Sequence, residues 1–302
     1  MRLAALAVAA LLALAGCGGG SDSRKASTTA DARPALRIGT KNFPEQFLLG
    51  EIYKQALEAR GFPVELKANI GSSEIIHQAL TDGALDMYPE YIGVLLSEVA
   101  NVRVRPKSPD AAYRRAQAFE ATQGFALLTP SPFSDQNALA VKPAYAGRHH
   151  LRDIQDLKRV PGTVRIGAPP EFQTRFEGLV GLDQLYGLHN AKARPLAIGS
   201  QYAALDSGRV DVAAVFTTDG QLASGRYVIL RDPRGVFGTQ HVSPIISRTA
   251  LTRYGPKLRT IIDTVSKRLT APAMQRMNAQ VQIDRRATAD VADEFLRGQG
   301  LK

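Results

Sequence analysis

The chain has 302 residues, 44% of them hydrophobic, a single cysteine, no tryptophan and a formal net charge of +10. One cysteine excludes an internal disulfide, and the length exceeds that of one typical domain. Lys and Arg are spread along the chain, the densest stretches being pairs such as Arg114-Arg115 and Arg285-Arg286, so the charge reads as a basic solvated surface and points to no nucleic acid.

Met1-Arg2 supplies a short positive region, and Leu3 to Leu14 is almost entirely Ala, Leu and Val. That run is short for a bilayer span and reads as a secretory signal over residues 1–16. Its ending, Leu14-Ala15-Gly16-Cys17, resembles the lipobox of bacterial lipoproteins. The resemblance implies that Cys17 becomes a lipidated N-terminus, an anchor in the bacterial cell membrane. Residues 17–34 are Gly, Ser, Thr, Ala and charge, the composition of a flexible tether.

From Ala35 the pattern is α/β. A strand over Ala35–Gly39 leads into a helix over Glu45–Arg60, whose apolar residues recur at helical spacing and which Gly61 stops. Val64–Ala68 reads as a strand, Ser72 as the cap of a short helix ending at Gly83, and Leu85–Met87 as a third strand. Pro89 is placed to start a helix running toward Val99, and a further helix spans Ala111–Gly124. Ala138–Val141 reads as a strand leaving the first lobe.

A second copy of the plan follows. Its elements are strand Val164–Gly167, helix Phe172–Leu185, strand Lys192–Leu196, short helix Gln201–Asp206 and strand Val210–Phe216. Arg37-Ile38-Gly39 and Arg165-Ile166-Gly167 open the two copies, and each reaches a Gly followed closely by a strand Asp, at Gly83/Asp86 and Gly208/Asp211. Returning strands at Tyr227–Leu230 and Val242–Ile246 precede three closing helices, Pro256–Leu269, Ala273–Val281 and Ala289–Arg297. The expected organisation is lobe 1 over 35–140 plus 241–302 and lobe 2 over 141–240, hinged near 138–142 and 235–244, with a ligand cleft between.

In open α/β sheets ligands sit at the carboxyl ends of strands. The loops there are Lys41–Gln46, Gly71–Glu74, Tyr88–Tyr91, Pro169–Arg175, Gly199–Tyr202 and Phe216–Gly220. They hold helix N-termini, which favour a carboxylate, and Tyr88, Tyr91 and Tyr202, whose ring faces attract cations. That pairing describes a site for a zwitterion. Tyr88 reads equally as core packing, and Glu74 equally as an acid favoured in a first helical turn. His77 reads as a partly buried structural histidine, and His149-His150 as a surface loop, since no His, Cys or carboxylate cluster supports a metal. There is no Gly-x-Ser-x-Gly elbow, phosphate-binding loop, His-Glu-x-x-His or Cys nucleophile, which points away from an enzyme.

Four blocks occur in order: Lys41-Asn42-Phe43-Pro44-Glu45-Gln46, Ile75-Ile76-His77-Gln78-Ala79-Leu80, Asp86-Met87-Tyr88-Pro89-Glu90-Tyr91-Ile92-Gly93 and Thr217-Thr218-Asp219-Gly220. The set resembles the substrate-binding proteins of osmoprotectant ABC importers, the glycine betaine/carnitine/choline-binding family. The resemblance implies a two-lobed type II periplasmic-binding-protein fold, no catalysis, no cofactor, and delivery of the solute to a permease driven by an ATPase. It also implies an extracytoplasmic protein, expected here as a monomer.

Position by position, Tyr91 and Tyr202 match tyrosines of the family's aromatic cage, and Gln46 and Glu74 match polar site positions. Lys41, Asn42 and Thr218 lie within the matching blocks and complete the expected ligand set. Two cage regions are changed, to Gln136-Asn137-Ala138 and to Gln240-His241. The change predicts weak glycine betaine binding and a bulkier or more polar ligand, such as an amino-acid-derived betaine, reached by Asn137, Gln240 and His241. A ligand-sensing module is the remaining alternative.

Overall fold

Leu36 and Ile38 are buried and Arg37 is half-exposed, a pattern that suits a short strand with one polar position. The computed structural model describes residues 34–102, 106–238 and 240–302. The predicted signal, Cys17 and nearly all of the tether lie outside the described residues. The first half runs β1 (Leu36–Gly39), α1 (Pro44–Glu58), β2 (Val64–Lys67), α2 (Ser73–Thr81), β3 (Met87–Tyr91), α3 (Ile92–Val94, continued as a π-helical turn over Leu95–Val99), α4 (Pro109–Thr122) and β4 (Phe125–Leu127). The second half runs β5 (Asn137–Val141), α5 (Pro143–His149), β6 (Val164–Ala168), α6 (Gly181–Tyr186), β7 (Ala191–Pro195), α7 (Gln201–Asp206), β8 (Val212–Phe216) and β9 (Val228–Leu230). The chain closes with β10 (Val242–Ser247), α8 (Arg248–Tyr254), α9 (Pro256–Arg268), α10 (Ala271–Gln282) and α11 (Thr288–Gly298).

The strands form two sheets of one design, ordered β2-β1-β3-β10-β4 and β7-β6-β8-β5-β9. In each, three strands from one copy lie parallel and a strand from a crossing segment inserts antiparallel in fourth place. Each sheet is thus completed by a strand from outside its repeated copy: β10 returns to complete the first sheet, and β5 precedes the copy whose sheet it completes. This moves the expected boundary. Ala138–Val141 does not leave lobe 1 but is a central strand of lobe 2, with Leu139 and Val141 in one core layer and Ala138 and Ala140 in the other. The first crossing lies before it, where Ser134 and His241 form an antiparallel bridge and Asp135 N–H donates to the Gln240 carbonyl at 3.0 Å.

The repeated sequence folds into repeated clasps. Arg37 Nε and Nη2 grip Asp86 at 3.0 and 2.9 Å, its backbone N–H donates to the same carboxylate, and Nη1 donates to the Gly83 carbonyl. Arg165 grips Asp211 and the Gly208 carbonyl in the same way. Each clasp ties the first strand of a copy to its third. Gly83 and Gly208 turn the chain at φ +70° and +73°, a region where a side chain would be strained.

Two predicted helices change. Pro89 does not start a helix; it lies inside β3, opposite Pro244 of β10. Neither proline has an N–H, and an antiparallel ladder contains positions where facing residues exchange no hydrogen bond. Tyr91 thus ends a strand instead of opening a helix. The helix expected over Phe172–Leu185 is broken into a 3₁₀ turn (Pro170–Gln173), a distorted π-turn and α6, with Glu177 and Gly178 off helical geometry. A Cβ on Gly178 would sit 2.1 Å from the Phe172 carbonyl oxygen, so the chain folds back here only because that residue is glycine.

Helices α9, α10 and α11 pack with α1 in the core of lobe 1, where the Tyr53 and Ser266 hydroxyls meet at 2.9 Å. On the other face of the same sheet, Glu120 of α4 is fully buried and neither carboxylate oxygen has a hydrogen-bond partner. His77 Nδ1 lies 3.9 Å away and 3.1 Å from the Tyr88 hydroxyl. Burial, and after it the charge of Glu90, push the Glu120 carboxyl up to about 8 from 4.5. A folded-state value above the unfolded one means that native Glu120 keeps its proton while the unfolded chain loses it. Stability is then highest below the unfolded value and falls as pH rises toward the folded one, by about 3 kcal/mol near neutrality. Glu120→Gln removes this dependence. Its melting temperature should match the parent's at about pH 5 and exceed it at about pH 8. An equal difference at both pH values in thermal denaturation would refute this account.

Candidate functional site

A cleft of about 770 Å³, counted to its open mouth, lies between the sheets' carboxyl ends. Lobe 1 contributes Lys41, Asn42 and Phe43 from the loop after β1, Ser72 and Ser73 before and in α2, Tyr91 at the end of β3, and Val94 and Glu98 after it. Lobe 2 contributes Asn137, Phe172, Arg175, Glu177 and Phe216, and the crossing segments contribute Asp135 and Gln240.

An aromatic column spans the lobes. Phe43 stacks on Tyr91 at 6.0 Å and on Phe216 at 5.6 Å between ring centroids. Lys41 Nζ lies 4.3 Å from the Tyr91 centroid, donating to Glu90 Oε1 at 2.6 Å and Ser73 Oγ at 3.0 Å. Burial lowers the Lys41 ammonium, and Glu90 opposes it. The Tyr91 hydroxyl faces the hinge and donates to Glu45 Oε1 at 2.7 Å.

The opposite wall is polar. Glu177 Oε2 accepts from Asn137 Nδ2 at 3.2 Å and Gln240 Nε2 at 2.5 Å, and Oε1 accepts from Gly238 N–H at 3.3 Å. Gln240 Oε1 in turn accepts from Val94 N–H of lobe 1 at 3.1 Å. Arg175 reaches across to Glu74 at 2.7 Å and to Glu98 at 3.7 Å, and its buried Nε has no hydrogen-bond acceptor. Burial, then Glu45 and Asp219, push Asp135 well above the usual carboxylate range.

Of the residues expected from sequence, Lys41, Asn42, Tyr91, Asn137 and Gln240 line the cleft. The others stand outside its lining. Gln46 is fully buried and braces the loop, accepting from Lys41 N–H and donating to the Pro89 carbonyl. Tyr202 packs under the second sheet beside Tyr227, with its hydroxyl donating to Asp219 at 2.7 Å. Thr218 is buried at the hinge, donating to Glu45 Oε2 at 2.5 Å. His241 Nδ1 faces the Ser131 and Phe133 carbonyls. Glu74 sits at the cleft mouth, where Ser72 bonds it instead of capping α2.

Sequence reasoning missed Phe43, Phe172, Phe216, Asp135, Glu177 and Arg175. Four of these lie in the strand-end loops it singled out, but phenylalanine in such a loop is indistinguishable from core. Glu177 was hidden inside a helix that does not form. Among the described residues no cluster of His, Cys, Asp or Glu suits a metal.

A family model, the substrate-binding domain of ABC-type glycine betaine transport systems, matches residues 34–298. A glycine-betaine-binding protein of Pseudomonas aeruginosa is 33% identical over 277 residues, covering 88% of each chain. The glycine betaine-binding protein YehZ of Escherichia coli is 27% identical over 282 residues, covering 89% of this chain and 92% of its own. Among solved structures, a glycine betaine/carnitine/choline ABC transporter protein superposes with a TM-score of 0.71 at 26% identity, over 88% of this chain and 99% of that one.

The Arg175 pairs join the two sides of the cleft, and hinged separation of two lobes is the motion they would oppose. Arg175→Ala should therefore open the unliganded protein, raising its radius of gyration in small-angle scattering. High salt should move the parent in the same direction, because Glu74 is partly exposed and its pair is screened. Superimposable profiles for parent and variant at low salt would remove Arg175 as a latch.

Proposed function

The chain belongs to the family of substrate-binding domains of ABC-type glycine betaine transport systems, and from that premise we propose that it closes on a small quaternary-ammonium zwitterion and hands it to the permease. The family is not enzymatic. The observation that carries the ligand class is the buried Arg175 Nε, a donor without an acceptor in an aromatic-lined cleft. Such a donor costs about 1–3 kcal/mol, which a ligand carboxylate would relieve. Lys41 and Ser73 support the same anionic end, and the rings of Phe172 and Phe216 offer faces to the cationic end.

The phenylalanines bear on ligand choice. Tyrosine rings are absent at Ala138 and at Gln240-His241, yet Phe172 and Phe216 line the cleft, so aromatic surface is supplied from other positions. The amides of Asn137 and Gln240 favour a ligand larger and more polar than glycine betaine. Thermal-shift titration of the tether-free body against glycine betaine, carnitine, choline and amino-acid-derived betaines tests the class, since a bound ligand raises the melting temperature by mass action. We expect carboxylate-bearing quaternary amines to stabilise most, and Arg175→Ala to weaken them by about tenfold or more while affecting choline less. Stabilisation by none of these compounds would overturn the reading.

The sequence at Cys17 supports a lipid anchor that holds the body outside the membrane. Cys17→Ser should release the protein or leave it unprocessed, without changing ligand binding by the purified body. Firm membrane retention of a correctly processed Ser variant in cell fractionation would contradict the anchor.

A further inference from the structure

Helices α8 and α9 carry a charge that the fold does not use. Arg248, Arg253, Lys257, Arg259, Lys267 and Arg268 are all exposed, and Asp263 is the single acid of this stretch. Asp263 is turned to the protein, where it accepts from Thr129 N–H at 2.9 Å. Ion pairs on the neighbouring α1 and α11 engage Lys54, Arg286, Arg297 and Lys302. Among the described residues none engages these six. On α9 the buried Leu258, Ile262 and Val265 define the inner side. Positions 257, 260, 264, 267 and 268 then share the outer side. They are Lys257, Lys267 and Arg268, separated by Thr260 and Thr264, whose hydroxyls are spent on carbonyls four residues back.

Helix electrostatics do not account for this pattern. Cations are favoured in a last turn, which suits Lys267 and Arg268, and disfavoured in a first turn. Yet Arg248 opens α8, Lys257 lies in the first turn of α9, and neither helix has an acid there. Cations that local structure works against and no acid neutralises suit a partner outside the chain. The chain itself brings such a partner within reach. Tyr254, at the corner between the two helices, donates to the Pro34 carbonyl, so the body is entered beside Arg253 and Lys257. The anchor proposed at Cys17 lies 34 − 17 = 17 residues earlier, a span of at most about 60 Å. A layer of anionic headgroups has the complementary charge and lies at that distance. None of the six residues lines the cleft, so a surface held here leaves the cleft unobstructed.

We propose that the outer face of α8 and α9 is an electrostatic docking surface for anionic phospholipid headgroups, which orients the anchored body on its membrane. The Cys17 reading supplies the setting, and the test omits the lipid so that the two can fail separately. Cys17→Ser protein is sedimented with vesicles of phosphatidylcholine alone, or of phosphatidylcholine and phosphatidylglycerol in equal parts. It should bind the anionic vesicles, ignore the neutral ones, and be released by high salt. Lys257→Glu, Lys267→Glu and Arg268→Glu together should lower the binding by about tenfold or more, with melting temperature and ligand affinity kept. If that variant does not fold, the corresponding Gln substitutions, which add no acid, decide the matter by lowering the binding in the same direction. Equal charge reversal at Lys192, Arg194 and Arg209, exposed residues of lobe 2, should leave most of the binding in place. No preference for anionic vesicles overturns the proposal. So does an equal loss in the lobe 2 variant, because net charge alone would then bring the protein to the bilayer. Vesicle binding that persists where the Cys17 anchor has failed its own test supports this surface by itself.

Discussion

The carboxylate of Glu45 holds together three parts of the chain that are distant in sequence. It accepts from the Tyr91 hydroxyl of lobe 1, from Thr218 Oγ1 at the end of β8 in lobe 2, and from Asn278 Nδ2 of α10. Asn278 also donates to the Thr218 carbonyl, and Thr218 N–H donates to Asp135 on the first crossing segment. Burial raises Glu45, and its three donors pull the other way. A buried carboxylate is costly when its partners are incomplete, so the arrangement favours one relative placement of Tyr91, the hinge turn and the closing helix. The backbone of Ala279 is so close to Gly220 that a Cβ there would lie 2.5 Å away, which presses α10 onto the same turn. The aromatic column across the cleft inherits its position from this point, because Tyr91 is anchored by its hydroxyl.

What the sequence disclosed depends on how local the cause is. The twin clasps were legible as a repeat because Arg, Gly and Asp must recur at the same places for each first strand to be tied to its third. Most strands and helices were legible from period alone, and α7 agrees at both ends. Pro89 misled because proline favours a helix start, and its true partner, Pro244, is far along the chain. The break at Gly178 was invisible for a similar reason, since the approach of the Phe172 carbonyl is a tertiary fact.

The site was legible as a set of loops and less so as a set of side chains. Tyr202 stands in the right loop, but its ring lies under the sheet with Ala204, Leu205 and Val215, where Asp219 takes its hydroxyl. Gln46, Thr218 and His241 are polar residues whose hydrogen bonds are spent on the protein's own backbone and hinge. Polar side chains beside a cleft serve either to bind or to brace, and the choice is made by partners that local pattern does not reveal.

Lys41 adds a constraint on how a zwitterion lies in the cleft. Its ammonium already occupies the Tyr91 face, held by Glu90 and Ser73. A second cation on the same ring would meet a like charge a few ångströms away in a partly desolvated site, where repulsion is less screened than in water. Tyr91 is therefore part of the anionic end, with its cation supplied by the protein. In the reading proposed above, the carboxylate of a zwitterion lies toward Lys41 and Arg175, and its quaternary nitrogen toward Phe172 and Phe216 of lobe 2. In that orientation the ligand meets Lys41 of one lobe and the phenylalanines of the other, so the proposed site is complete only when the lobes are together.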